Sequence, residues 1–527
     1  MTSDLFLFII AILPIIWLFL ALCVFHLPGH IACPGGLILA AVLALTVIDM
    51  PFSNVATAAA EGAIFAFWPI LLVTIAALIL YKYSVATGGM DVIIKLMTGI
   101  SRDKRIIVLM LAWGFGAFLE AIAGFGSPVL IPGSILVSLG FSPMFSIVVC
   151  LLANTIPTPF ATIGIPVTTM ATITGLDANV LGFNVAAQLF LPCLILPFII
   201  VALTGGGFRA IKGVGLITLI AGLSLAVPML LITRFLGPEL PALFGSICTI
   251  FCIAIAGKKL YKDTEENRKY WIEIPDTSPD KLPDGQKENN NSGKPPVSIF
   301  QACLPFILVL FLVTATRLIE PLHEVLSRAK LDVVVYTGPD GYVLNFSFIL
   351  ASGILILIST FLACFLQGFK ISALFEIMKT TVIESKNMVI TVMTIVAMAK
   401  IMDYSGMMNA IAVMLIAAFS VFYPLVAPLI GMMGVFITGS CTTCTILFSN
   451  LQAGAARAIG VDPSWIASSN LSAAALGKMI SPQSVAVGIR IGGLDGLEGD
   501  VIKQTIKYAL ICTVIVCLVT YGKLALF

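Results

Sequence analysis

Two charged residues lie within otherwise small and apolar stretches, where a charge needs a partner. Glu120 stands in the run FLEAIAGFG, and Lys478 follows a similar run in the C-terminal half. An ammonium inside a membrane costs about 3 kcal/mol unless it is paired or hydrated. Glu120, or the carboxylate of a bound anion, could stabilise Lys478. A buried carboxyl near a cation can also exchange a proton, so Glu120 is the candidate for coupling proton movement to that of an anion.

Plainer interpretations of the charged residues remain open. Glu120 could be a permanently ionised structural partner, and Lys478 could be a helix-end residue whose ammonium reaches the membrane interface. Lys400 and Asp403 flank the end of another apolar stretch, so we expect them at the interface.

Glycine, proline and hydroxyl residues interrupt four apolar stretches. The interruptions are AGFGSP from Ala123, NTIPTP from Asn154, GSCTT from Gly439 and GKMISPQS from Gly477. Backbone amides freed at such breaks need water, protein or a ligand as partner. Helix N-termini exposed there carry partial positive charge and suit a small anion. Close packing of helices at small residues is the alternative explanation of the glycines.

These interruptions predict a binding site for a small carboxylate. The freed amides near Gly124–Ser127 and Ser440–Thr442 would hold the carboxylate, and Lys478 would supply positive charge. The candidate substrate-binding residues are Gly124, Phe125, Gly126, Ser127, Asn154, Thr155, Ser440, Cys441, Thr442, Lys478, Ser481 and Gln483. Glu120 is the proton-coupling candidate, and no residue is assigned a catalytic role.

The composition is that of a membrane protein. Of 527 residues, 59% are hydrophobic and 11% are charged, and the net charge is +2. These values exclude a disordered chain and an ordinary soluble globule, and no basic patch suggests nucleic acid. Apolar stretches of about 18 residues or more recur, each long enough to span the bilayer as a helix. We predict an all-α polytopic membrane protein with about 12–16 membrane helices and re-entrant segments.

Metal, redox and enzyme chemistry have little support. Cys441 and Cys444 have C-x-x-C spacing, but no second pair or nearby histidine completes a zinc site. The H-E-x-x-H, G-x-S-x-G and P-loop patterns are missing from the sequence. We therefore predict no cofactor, no metal ion and no enzymatic activity.

A charged segment divides the chain into two membrane halves. Residues 258–297 carry eight basic and eight acidic residues, which is typical of a linker. The N-terminal half is then 1–257, with a repeat core at about 83–204, and the C-terminal half is 298–527, with a repeat core at about 404–524.

Basic residues predict the orientation of the chain. Five Lys or Arg lie between Lys82 and Arg105, whereas 50–62 has none, so the positive-inside rule places the former in the cytoplasm. By alternation the linker is cytoplasmic and Met1 faces outward. Met1–Phe25 lacks a basic n-region and is predicted to be a retained first span.

The two halves repeat the same order of short motifs. In each half the order is Tyr-Ser, Gly-Met, Gly-x-Phe, a glycine break and Gly-x-x-Pro, which ends at Pro143 in the first half and at Pro463 in the second. The residue before each proline is predicted to cap the next helix. The first connector, between Lys82 and Arg105, carries five Lys or Arg, whereas 403–424 has none, so we predict that the two repeats are inverted. Inverted repeats with broken helices are typical of secondary transporters. Duplication in another kind of membrane protein is the alternative.

At these residues the chain resembles the L-lactate permease family. The matching segments are FGAFLEAIAGFGSPV from Phe115, NTIPTPFATIGIPV from Asn154, GVFITGS from Gly434 and LGKMISPQS from Leu476. The resemblance covers nearly the whole chain and implies a bacterial inner-membrane symporter that takes up lactate, and often glycolate, with protons. In the family an aspartate usually follows TGS. Cys441 stands there in this chain, so its coupling or its preferred monocarboxylate could differ.

We therefore expect a multi-pass secondary transporter in a bacterial cell membrane that imports L-lactate by proton symport, with D-lactate and glycolate as further substrates. Asn154, Thr155 and Gln483 would contact the substrate hydroxyl. The expected partners are the substrate, protons and the lipid bilayer, and the sequence leaves open whether the protein forms a homodimer. The first alternative is the same fold carrying another small carboxylate or anion, with Na+ as a possible coupling ion. A channel and a membrane enzyme are the others.

Overall fold

The structure is a computed structural model that describes residues 2–21, 25, 27–122, 124, 126–271, 298–338, 343–489 and 497–526. Within these ranges, nine helices are long and apolar enough to cross a membrane, or up to eleven if each of two bent helix pairs is one span. The prediction of a polytopic helical membrane protein is confirmed. The rest of the predicted linker, 272–297, lies outside the described residues.

The N-terminal half contains helices α1 to α14, and α15 lies within the predicted linker. Their bounds are Thr2–Phe19, Gly29–Thr46, Phe52–Phe65, Leu72–Ala86, Gly89–Thr98, Lys104–Val108, Gly116–Ile122, Ser127–Ser138, Pro143–Asn154, Ala161–Thr174, Ala178–Gln188, Phe190–Gly205, Gly215–Phe235, Pro241–Lys259 and Glu265–Arg268. A kink at Trp68, with φ −127° and ψ 115°, separates α3 from α4, and a wider π-helical turn at Leu109–Phe115 continues α6 into α7.

The C-terminal half contains helices α16 to α26 and one small antiparallel sheet, which the sequence did not predict. The helix bounds are Ile299–Leu318, Glu320–Ser327, Ser352–Leu366, Ile371–Glu384, Lys386–Tyr404, Met407–Phe419, Tyr423–Thr438, Cys441–Ala458, Pro463–Gly477, Pro482–Ile489 and Glu498–Leu526. The strands are β1 (Lys330–Val334) and β2 (Val343–Ser347), with Lys330 opposite Ser347.

In each half, a helix folds back on itself at a glycine turn. Helices α7 and α8 form the first hairpin, in which a Cβ added at Gly116 would lie 3.6 Å from the Pro128 carbonyl oxygen. Helices α22 and α23 form the second hairpin, in which a Cβ at Gly434 would lie 2.6 Å from Cys444 Sγ. Glycine is therefore needed where the arms of the second hairpin meet. The apolar segments after the two breaks are returning arms of hairpins.

A broken helix follows each hairpin. Helices α9 and α10 are bent by 63°, and α24 is separated from α25 by the turn at 478–481. Ser142 caps α9 by accepting a hydrogen bond from the Phe145 amide at 3.3 Å, and Asp462 caps α24 by accepting one from the Ser464 amide at 2.9 Å. The predicted caps are confirmed. The same order of hairpin and broken helix recurs in both halves, and their inverted orientation stays a prediction.

Buried Arg105 ties three segments together at one end of the molecule. Its guanidinium donates to Asp103 Oδ2 at 2.6 Å, to the Ala210 carbonyl at 2.7 Å and to Asn267 Oδ1 at 3.0 Å. The sequence predicts that these segments lie on the same side of the membrane, and in the structure they are adjacent. Which face of the membrane this end meets stays a prediction. The first residues of the predicted linker are therefore packed against the membrane half.

Replacing Arg105 by alanine is expected to lower the unfolding temperature of the detergent-solubilised protein. Arg105 and Asp103 are fully buried, and removing one partner of such a pair costs about 3–5 kcal/mol because the other charge is left unpaired. Arg268→Ala is the control, since its ion pair with Asp263 is exposed and it should leave the melting curve unchanged. Equal effects of the two substitutions would contradict the structural role of Arg105.

Candidate functional site

The four predicted helix interruptions meet around one cavity of about 160 Å³. A cavity needs about 10–15 Å³ to admit a single water, so this space is large enough for several waters or a small organic anion. Both hairpin tips and both broken helices contribute, and the cavity is lined by Glu120, Gly124, Gly126, Val129, Asn154, Thr158, Ala161, Thr162, Pro166, Gly439, Ser440, Cys441, Thr442, Lys478, Gln483, Ser484 and Val487.

An ion pair between the two halves lies at the cavity wall. Lys478 Nζ donates to Glu120 Oε1 at 2.7 Å. Glu120 is fully buried in the last turn of α7, and the Lys478 side chain is 16% exposed. Lys478 directly follows the last residue of α24, where the partial negative charge of the helix C-terminus also stabilises an ammonium. The interface placement of Lys478 is therefore wrong, and its predicted pairing with Glu120 is present.

The second carboxylate oxygen of Glu120 lies outside the ion pair with Lys478. Glu120 Oε2 is buried and has no hydrogen-bond partner among the residues that the structure describes. An unpaired buried carboxylate oxygen is costly, because it has lost water without gaining another donor. A proton or a water molecule at Oε2 would remove this cost.

The tip of the second hairpin presents the N-terminus of α23 to the cavity. Ser440 caps this helix by accepting a hydrogen bond from the Thr443 amide at 3.3 Å. The first amides of a helix lack intrahelical acceptors and carry partial positive charge, which suits an anion. Gly439 has φ +69°, and a Cβ there would overlap Gln483. This turn brings Ser440, Cys441 and Thr442 to the cavity beside Lys478.

The break in the first broken helix presents an amide to the cavity. Asn154, at the end of α9, is 2% exposed, and its Oδ1 has no hydrogen-bond partner within the described ranges. This oxygen can accept a hydrogen bond from a hydroxyl. Beyond the break, Thr162 and Ile163 have φ of +47° and +57°, values that non-glycine residues rarely adopt. Such backbone strain is common at ligand sites.

The structure brings most of the predicted site residues to the cavity, but not all. Ser127 and Thr155 do not line it, and their hydroxyls donate to the carbonyls of Gly124 at 2.8 Å and Leu151 at 3.1 Å. Ser481 is fully buried away from the lining, and Phe125 lies outside the described residues. For the remaining candidates, contact with a substrate stays a prediction.

Three polar residues of the lining were missed in the sequence: Thr158, Thr162 and Ser484. Thr158 lies in the NTIPTP motif and Ser484 follows Gln483, so proximity to the breaks was an available signal for both. Thr162 had no such signal, because its position depends on the unusual backbone at the start of α10.

Comparison with known proteins gives matches along nearly the whole chain. The profile of a family described as L-lactate permease matches residues 7–527. A protein named L-lactate permease from Streptococcus iniae is 41% identical over 460 residues, covering 87% of this chain and 93% of that protein. The glycolate permease GlcA of Escherichia coli (strain K12) is 32% identical over 545 residues, covering 97% and 94%. The solved YdaH transporter of Alcanivorax borkumensis covers 90% of this chain and 88% of its own at 14% identity, with a TM-score of 0.46.

Proposed function

The chain belongs to the L-lactate permease family, and from this membership we propose that it imports lactate, or a close 2-hydroxymonocarboxylate such as glycolate, together with protons. As a permease it is a multi-pass membrane transporter rather than an enzyme. The single observation that carries the proposed mechanism is the Glu120–Lys478 pair at a cavity where four helix breaks meet. Uptake would cross a bacterial inner membrane, with Met1 outside and 258–297 in the cytoplasm.

Each part of a 2-hydroxymonocarboxylate has a suitable partner in the cavity. The carboxylate would bind Lys478 and the first amides of α23 near Ser440–Thr442. The hydroxyl would donate to Asn154 Oδ1, which otherwise lacks a partner in the described part of the chain. Gln483 also reaches the cavity and can contact the hydroxyl. The methyl group of lactate would meet the apolar side chains of Val129 and Val487.

Coupling to protons follows from the charges of the site. Glu120 and Lys478 together are neutral, so an anion bound alone leaves a charge of −1 and a proton bound alone leaves +1. A buried unpaired charge is costly, and binding both ligands restores neutrality. Protonation of Glu120 would also release Lys478 to pair with the substrate carboxylate. Each ligand therefore favours binding of the other, which is the basis of symport.

The two hairpins suggest how the site opens to either side. Tips from both halves meet at the cavity, and a Cβ at Gly126 of the first hairpin would lie 2.6 Å from Val487 of α25. Two related units around a midplane site can rock against each other and expose it alternately. This scheme depends on the predicted inverted orientation of the halves.

Substrate protection of Cys441 tests the proposed site. A small methanethiosulfonate reagent is expected to inhibit uptake by modifying Cys441, which lines the cavity, and bound lactate or glycolate should slow that inhibition by blocking access. Cys441→Ser should be resistant. The experiment measures the inhibition rate of labelled lactate uptake, with and without substrate during modification.

Cys444→Ser is the matched control for this test. Cys444 lies one turn further along α23, is fully buried and contacts the Gly431 carbonyl at 3.4 Å instead of the cavity. This variant should stay as sensitive as the wild type. A dicarboxylate such as malate that protects better than lactate would point to the alternative substrate class.

A further inference from the structure

A second charged cluster, built around buried Glu61, joins the two halves and is separate from the Glu120 pair. Glu61 on α3 accepts hydrogen bonds at Oε1 from Lys400 Nζ at 2.9 Å and from the Tyr404 hydroxyl at 2.7 Å. Asp403, on the same helix as Lys400, accepts a hydrogen bond from Asn450 Nδ2 at 2.6 Å. We call these five residues the Glu61 cluster. Lys400 is 8% exposed because Glu61 supplies a buried partner, and its expected position at the membrane interface stays a prediction.

The ionised groups of the cluster carry a net negative charge. Its two carboxylates and one ammonium sum to −1 when all three are ionised. Glu61 is fully buried, and its Oε2 has no hydrogen-bond partner in the part of the chain that the structure describes. Glu61 is fully buried and Asp403 is partly buried, and an uncompensated charge in such surroundings is unfavourable, so the cluster favours a ligand that carries one positive charge.

A proton fits this site better than a metal cation does. Lys400 Nζ lies 2.9 Å from Glu61 Oε1, so its own positive charge opposes a metal ion at the same carboxylate. The adjoining cavity measures about 10 Å³ and is lined by Lys400, Asp403, Asn450 and Ile173 among others. That volume suits about one water molecule, which can carry a proton to a carboxylate oxygen.

Two helices run from the substrate cavity to the Glu61 cluster. On α23, Thr442 lines the substrate cavity and Asn450 lines the small cavity, eight residues or about 12 Å further along the helix. On α10, Pro166 lines the substrate cavity and Ile173 lines the small cavity. Thr445 and Ser449 lie between Thr442 and Asn450.

The hydroxyls between the two cavities are available for hydrogen bonds. Thr445 and Ser449 are fully buried, and neither side-chain oxygen has a partner among the described residues. Both are within about 60° of Thr442 around the helix, since successive residues are 100° apart. They therefore form a row of polar groups on one side of α23, between the cluster and the substrate cavity.

We propose that the Glu61 cluster is a proton-binding relay site, which holds one proton as a carboxylic acid and passes it along α23 to the substrate cavity. This role rests on the proposed proton coupling at Glu120. On the side of the cluster away from the substrate cavity, Tyr336 stacks on Tyr404 with ring centroids 3.8 Å apart, and Thr337 contacts Asn54 and Thr57. The orientation predicted from basic residues makes this side the outer one, so the relay would collect protons from outside.

Infrared spectroscopy tests proton binding without any substrate. On acidification, the wild type should show the high-frequency carbonyl band of buried protonated carboxyls, part of which persists in Glu120→Gln. Asp403→Asn or Glu61→Gln, made in the Glu120→Gln background, should remove the persistent part. Glu384→Gln is the matched control, because this acid is 66% exposed in its ion pair with Lys82. The proposal is overturned if Glu120→Gln alone removes every buried carboxyl band.

Transport measurements test the relay itself. In proteoliposomes, Asp403→Asn should slow proton-driven lactate uptake by about tenfold. Exchange of external labelled for internal unlabelled lactate should be retained, because exchange moves no net proton and also reports a folded protein. Glu61→Gln is the second variant, and Glu384→Gln should behave as the wild type. Wild-type rates of proton-driven uptake in both cluster variants would rule out the relay. A wild type that fails to transport lactate contradicts the proposed function alone, since the infrared result stands independently.

Discussion

Replacing Lys478 by methionine is expected to abolish lactate uptake. The substitution keeps a long apolar stem but removes the ammonium that pairs with Glu120 at 2.7 Å and that we assign to the substrate carboxylate. Truncating one partner of a buried, hydrogen-bonded charge pair with a ligand costs about 2–5 kcal/mol, which corresponds to about thirtyfold or more in binding. Initial uptake rates and substrate-induced thermal stabilisation of the purified variant measure this loss.

A double substitution separates lost stability from lost binding. Glu120→Gln combined with Lys478→Met leaves no unpaired charge, so the free energy of unfolding should recover towards that of the wild type while binding stays lost. Lys212→Met is the control, because Lys212 forms an exposed ion pair with Glu266 at 3.1 Å. Uptake that survives in Lys478→Met would remove Lys478 from the substrate site.

Replacing Glu120 by glutamine is expected to separate substrate movement from proton movement. Glutamine resembles the protonated carboxyl in shape and charge, so Lys478 is released for the substrate and lactate exchange should continue. Accumulation against a gradient should disappear, because the variant no longer gains a proton at residue 120. Counterflow of labelled lactate and net accumulation under an inward proton gradient are the two measurements.

The pH dependence of lactate affinity provides a second readout of the same prediction. When a proton and lactate bind together, lowering the pH raises the apparent affinity of the wild type, by at most about tenfold per pH unit for one coupled proton. In Glu120→Gln this slope should be absent over the same range. An unchanged slope, or accumulation that still follows the proton gradient, would assign coupling to another group.

Much of the site was predictable because it depends on local chemistry. The caps at Ser142 and Asp462 follow from a polar residue before a proline, whatever the rest of the fold does. The Glu120–Lys478 pair was predictable because so few charges lie in the apolar stretches that each restricts the choice of partner. The glycine breaks were likewise visible.

Other features depend on the direction in which a helix or a side chain points in the folded protein, and a single sequence does not determine that direction. The glycine turn at Gly439 is compatible with a helix that continues and with one that returns, and the tertiary packing of Gly434 against Cys444 decides for the hairpin. Thr155 was predicted to face a ligand, but its hydroxyl bonds to a carbonyl one turn earlier, as threonine in helices often does. Glu61 and Lys400 are far apart in the chain, so their pairing appears only when α3 packs on α20.

The central claim is that lactate and a proton enter together through the cavity at Glu120 and Lys478. Uptake of labelled L-lactate into proteoliposomes, with an inward proton gradient and again after an uncoupler has collapsed it, tests this claim most directly. We predict accumulation above the external concentration with the gradient, its loss with the uncoupler, and no change when Na+ is replaced by K+. Folded, correctly inserted protein that accumulates no lactate, or that requires Na+ to do so, would contradict it.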